Sequence, residues 1–115
     1  MIFPGEIYLA DFPPGQRHAV VVVSREDLKR GDYVVAALIT SQRFAVRSKL
    51  PNCVPLQAGQ FGMTKDCVVQ GEMAGPIHID TIELGMGAIG QLDDMTLREV
   101  IKAIGYVMDS DCEPN

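Results

Sequence analysis

At 115 residues, 47% apolar and 22% charged, the chain has the size of one globular domain, expected over residues 1–109 with a polar tail at 110–115. No apolar run approaches the ~18 residues of a membrane span and no basic-then-apolar leader opens the chain, so no membrane partner is expected and the protein reads as soluble and cytoplasmic. A net charge of −5 argues against a general nucleic-acid binder, but residues 17–49 hold seven Lys/Arg and three acids, a +4 middle on an acidic body that suits a local anion-binding face.

Glu6 to Phe12 alternates apolar and polar residues and stops at Pro13-Pro14-Gly15, which predicts a strand and a turn. Ala19 to Val23 is continuously apolar and β-branched, as in a strand buried on both faces. Tyr33 to Ile39 reads as a third strand after the Gly31-Asp32 turn. Asn52 to Leu56 is a weaker strand, moved toward an edge by Pro55, and Cys67 to Gln70 is another. Ile77 to Thr81 and Gly87 to Gly90 are short strand candidates.

The last element is a helix over about 93–109. Leu97, Val100, Ile101, Ile104, Val107 and Met108 form one apolar stripe at helical spacing. Asp93 is the expected N-cap, and Gly105 suggests a close approach to the sheet or to a subunit. Short strands followed by one terminal helix predict a mainly β fold, a small curled sheet or barrel closed by a helix. The apolar stripe and the apolar strand exceed what so small a sheet needs to cover itself, which predicts a homodimer. Cys53, Cys67 and Cys112 are odd in number without close pairing, as in reduced intracellular thiols.

The two histidines, His18 and His78, have no partner at metal-ligand spacing, so no metal site is expected. Gly85-Met86-Gly87-Ala88-Ile89-Gly90 follows no clear strand and opens no helix where a phosphate loop needs one.

Three motifs carry a resemblance. In Phe61-Gly62-Met63-Thr64-Lys65-Asp66-Cys67-Val68-Val69-Gln70-Gly71-Glu72, a Gly turn and a Lys-Asp pair lead into an apolar strand that ends on a carboxylate. With Gly5-Glu6-Ile7-Tyr8-Leu9-Ala10-Asp11-Phe12 and Leu38-Ile39-Thr40-Ser41-Gln42, this chain resembles the MazF/PemK toxin endoribonucleases of type II toxin–antitoxin systems. The resemblance implies an SH3-like barrel with a C-terminal helix, usually a homodimer. It also implies metal-independent cleavage of single-stranded RNA without a cofactor, and an antitoxin protein as partner.

Such a reaction makes modest demands. The substrate supplies its own nucleophile, the 2′-hydroxyl. The protein supplies a base, a cation for the phosphorane charge and an acid for the leaving 5′-oxygen. The family's Arg-Pro pair at the second strand falls on His18-Ala19, with Arg17 one residue earlier. Either Arg17 reaches in or His18 takes over. The family's catalytic hydroxyl falls on Thr40 and its acidic residue on Glu72. The resemblance therefore assigns phosphorane stabilisation to Arg17, acid and base to His18 and Glu72, and positioning of the phosphate to Thr40.

After Ser41, the loop Arg43-Phe44-Ala45-Val46-Arg47-Ser48-Lys49 sets three cations around an aromatic ring. That suits an RNA-binding set of Ser41, Arg43, Phe44, Arg47 and Lys49, with backbone phosphates held by the three cations and one base stacked on Phe44. Two departures stand out. The loop between the first two strands is about half a dozen residues short of the family's. The Asp/Glu-Gln-x-Arg-Thr-Ile run appears as Glu72-Met73-Ala74-Gly75-Pro76-Ile77. These losses leave an alternative to cleavage, a catalytically inactive module, or a binding module like CcdB, whose barrel this one resembles, acting on a protein or nucleic-acid partner.

Overall fold

A computed structural model describes residues 2–25 and 31–109. The expected polar tail at 110–115, with Cys112, and Lys29 and Arg30 of the basic middle lie outside the described residues.

Among the described residues six strands form one antiparallel sheet: β1 Glu6–Asp11, β2 Arg17–Val22, β3 Tyr33–Thr40, β4 Cys53–Leu56, β5 Cys67–His78 and β6 Gly90–Gln91. Their order is β4-β5-β3-β2-β1-β6, and the sheet curls into a half-barrel. A short helix, α1 Phe44–Arg47, follows β3, and α2 Asp94–Asp109 ends the described chain and packs on β5 and β4. Among the described residues no helix is long and apolar enough to cross a membrane.

The sheet has apolar residues on both sides. Tyr8, Val20, Val22 and Leu38 belong to one buried cluster; Ile7, Val21, Ile39, Val69 and Val100 belong to the other, beneath α2. This is why the run in β2 lacks alternation: a central strand between two covered faces needs apolar residues at successive positions. Pro55 does sit on an edge strand, where its missing N–H costs no ladder bond.

β5 runs eight residues beyond the expected Gln70, to His78. The register shifts between Ala37 and Leu38, which lets β5 continue through Gly75 and Pro76 against β3. The candidate strand at Ile77–Thr81 is the end of β5 and a 3₁₀ turn at Ile79–Thr81. There the His78 ring accepts from the Asp80 amide at 3.0 Å.

Among the described residues Gly105 has no neighbour that a Cβ would meet; the close approach is at Gly71 instead. A Cβ there would lie 2.8 Å from the Asn52 carbonyl oxygen and 2.9 Å from that of Ala103, so the absent side chain lets α2 settle on β5. The helical stripe also divides. Val100 and Ala103 are buried and Leu97 and Ile104 pack on the core, whereas Ile101, Val107 and Met108 are exposed.

Candidate active site

A cavity of about 530 Å³ opens where β2 begins and β3 ends. β2 contributes Arg17, His18 and Ala19; the end of β3 contributes Ile39 and Thr40, followed by Ser41 and Gln42. Gly62, Met63, Thr64, Lys65 and Cys67 form the wall beside β5, and Leu9 and Ile89 complete the lining.

A tight hairpin positions the first side chains. Asp11 pairs with Arg17 and Ala10 with His18, and the Asp11 carboxylate accepts the Gly15 amide at 2.9 Å. The shortened loop thus presents Arg17 and His18 as the first two residues of a strand that is buried from Val20 to Val22. His18 Nδ1 lies 3.2 Å from the Phe12 carbonyl oxygen. A carbonyl only accepts, so Nδ1 carries the hydrogen and Nε2 keeps the lone pair of the neutral ring.

Arg17 is already engaged. Its Nε and Nη2 donate to the two carboxylate oxygens of Glu83 at 2.6 and 2.8 Å, and Nη2 also reaches Met86 Sδ at 3.5 Å. The hydrogen bond from Arg17, reinforced by its charge, holds the Glu83 carboxyl below its ordinary value, and the same pairing raises the guanidinium. Thr40 is buried, and its hydroxyl oxygen accepts the Gln42 amide at 3.2 Å, leaving the hydroxyl hydrogen free to donate. Burial, then the neighbouring Asp66 charge, pushes the Cys67 thiol up to about 11, which keeps it an inert part of the wall.

Arg17, His18, Thr40 and Ser41 therefore share one cavity. Glu72, expected with them, does not line it. β3 sets Thr40 opposite Val68, and Glu72 lies further along β5, beyond Gln70. Its two oxygens accept from Asn52 Nδ2 at 2.7 Å and Gln70 Nε2 at 2.9 Å. Those amides tie the carboxylate to the β4–β5 edge.

Arg43, Phe44, Arg47 and Lys49 also lie outside the cavity. The expected loop there folds into α1, with Arg43 at a positive φ of 55° before it. Arg47 reaches the Gln42 carbonyl at 3.4 Å, so α1 adjoins the rim without entering the cavity.

Sequence reasoning missed Lys65 and Glu83 as site residues. Lys65 was visible in the Lys-Asp pair after the Gly turn; Glu83, 66 residues from Arg17, carried no local signal. Among the described residues no group of three or more His, Cys, Asp or Glu side chains is placed to hold a metal ion.

The profile of the family described as PemK-like, MazF-like toxin of type II toxin–antitoxin system matches residues 3–108. The chain belongs to that family. Solved structures share the fold at low identity. The Mycobacterium tuberculosis toxin MazF-mt6 is 22% identical with a TM-score of 0.74, covering 90% of this chain and 96% of its own. An endoribonuclease in complex with its cognate antitoxin, from a mycobacterial species, is 17% identical with a TM-score of 0.74 over 94% and 95% of the two chains. MazF in the Deinococcus radiodurans MazE–MazF structure is 19% identical with a TM-score of 0.71, over 93% and 94%. No curated protein sequence matches the chain. The PemK/MazF family thus tolerates wide sequence change on one curled sheet.

Proposed function

We propose that this PemK/MazF-family protein is a metal-independent endoribonuclease that cuts single-stranded RNA and is neutralised by an antitoxin protein. The observation that carries the reading is the shared cavity of Arg17, His18 and Thr40, a cation, a base and a hydroxyl donor in one open site. His18 Nε2 takes the proton of the substrate's 2′-hydroxyl. O2′ bonds to phosphorus as the bond to O5′ breaks, leaving a 2′,3′-cyclic phosphate and a 5′-hydroxyl whose proton comes from solvent. Arg17 exchanges the Glu83 carboxylate for the phosphate, which its planar fork matches equally well, and carries the developing charge. The Thr40 hydroxyl donates to a phosphate oxygen.

Glu72 acts at a distance, by holding the β4–β5 edge. Arg43, Phe44, Arg47 and Lys49 receive the strand beyond the rim, next to Ser41 and Gln42. No step calls for a cofactor. The buried free thiols Cys53 and Cys67 support a reducing compartment, the cytoplasm.

The Arg17–Glu83 pair favours one second reading, a barrel that binds its partner without cutting, because the cation meant for phosphate is neutralised within the chain. Incubating the purified protein with a long RNA in EDTA separates the two. Site-limited products ending in 2′,3′-cyclic phosphate support cleavage; RNA that stays intact while bound supports the second reading.

A further inference from the structure

We propose that Lys65 is a phosphate-binding residue of this cavity, taking the RNA backbone from the loop wall while Arg17 faces it from β2; the assignment rests on the ribonucleic-acid reading above. Among the described residues the lining includes two full cations, Arg17 and Lys65, and no Asp or Glu. Arg17 is neutralised by Glu83. Lys65 has no ion pair among the described residues, so the cation available to an arriving anion is Lys65. Its sequence neighbour Asp66 makes no ion pair with it among the described residues; the Asp66 carboxylate accepts the Ala58 amide at 2.9 Å instead.

The segment carrying Lys65 is braced. Gly59 N–H donates to the Met63 carbonyl at 2.8 Å, and Met63 N–H to that of Gln60 at 2.9 Å. Gly62, at a φ of 86°, and Gly90 let this loop lie directly on the backbone ahead of α2: a Cβ on Gly62 would collide with the Ile89 carbonyl oxygen, and one on Gly90 with that of Phe61. A lysine at the end of so tightly packed a loop keeps its flexible stem while its Cα stays fixed beside the cavity. It serves as a point charge for phosphate without bidentate geometry. A single-stranded RNA therefore meets Lys65 first, and its phosphate then displaces Glu83 from Arg17.

The test is binding of a single-stranded RNA oligonucleotide carrying 2′-O-methyl riboses throughout, which this chemistry cannot cut, measured against salt for wild type, Lys65→Ala, Lys65→Arg and Lys102→Ala. Lys102 lies on the exposed side of α2, outside the cavity. Lys65→Ala is expected to bind about tenfold more weakly at ~50 mM salt, with the log–log salt slope reduced by ~0.7, the value of one neutralised phosphate on a single strand. Lys65→Arg and Lys102→Ala are expected to keep the wild-type slope. A Lys65→Ala protein with wild-type affinity and slope overturns the assignment. So does a Lys65→Arg protein as impaired as Lys65→Ala, or a wild type that binds no oligonucleotide. Cleavage of ordinary RNA by the wild type is scored separately, so loss of the ribonuclease reading leaves the Lys65 result to stand or fall on binding alone.

Discussion

His18 and Glu72 offer the same chemistry on the sequence, each a proton-transfer group on a strand, yet their atoms are differently committed. The His18 ring spends one nitrogen on the Phe12 carbonyl and keeps the other, whereas both Glu72 oxygens already hold side-chain amides. His18→Ala is therefore expected to lower the rate constant for cleavage by about 10²–10⁴-fold, the usual contribution of a positioned base. Glu72→Gln, which keeps the side-chain volume and one of the two acceptor oxygens at the β4–β5 edge, is expected to leave cleavage near wild type. Single-turnover rates on a defined RNA decide it, and the opposite ranking would move the base from His18 to Glu72. The Arg17–Glu83 pair is a residue-scale fact of another kind. Its partners lie 66 positions apart, and nothing in either local pattern announced the contact.

Elements matter here through the places where they touch. The loop at 57–66 and the segment at 89–90 approach backbone to backbone, which only glycines allow. Gly62→Ala adds a methyl group at a positive φ and against a carbonyl, so it should destabilise the fold by about 2–4 kcal/mol. The loss is readable in urea denaturation; an unchanged midpoint would mean that the loop is not clamped. The start of α2 is set by Asp93, whose carboxylate accepts the Thr96 amide at 2.8 Å, as the expected N-cap should. Hydrogen bonding to Thr96 holds the Asp93 carboxyl below its ordinary value. A depressed acid stabilises the fold above its unfolded-state value and loses that contribution as pH falls through the folded one. Asp93→Ala should accordingly lower Tm at neutral pH, and the gap to wild type should close on acidification below the usual carboxylate range. A gap that does not change with pH would show that the carboxylate's charge has no part in capping.

At the scale of the whole molecule, α2 covers the sheet with one face and leaves Met95, Ile101, Tyr106, Val107 and Met108 exposed on the other sides. So much apolar area on a 12.5 kDa chain fits burial against a second copy. Sedimentation at micromolar concentration should give twice the chain mass, and Ile101→Lys should shift the protein toward the monomer. A wild type that stays at 12.5 kDa throughout would rule the homodimer out. The sequence by itself was enough for the strands from β1 to β4, the edge position of the Pro55 strand, the terminal helix and its cap. Each of these is written in local signals: alternation, an unbroken β-branched run, helical spacing and a capping carboxylate. The three motifs likewise pointed to the family, and Arg17, His18, Thr40 and Ser41 do meet in one cavity. Only the tertiary structure decided that Glu72 stays outside it, that Glu83 occupies Arg17, that Lys65 stands on its wall, and that Gly71 rather than Gly105 admits the helix. Those outcomes depend on strand register, on the bulge after Ala37 and on backbone approaches between distant segments. Such contacts are set by how whole surfaces pack, and a one-dimensional pattern of side chains does not encode them.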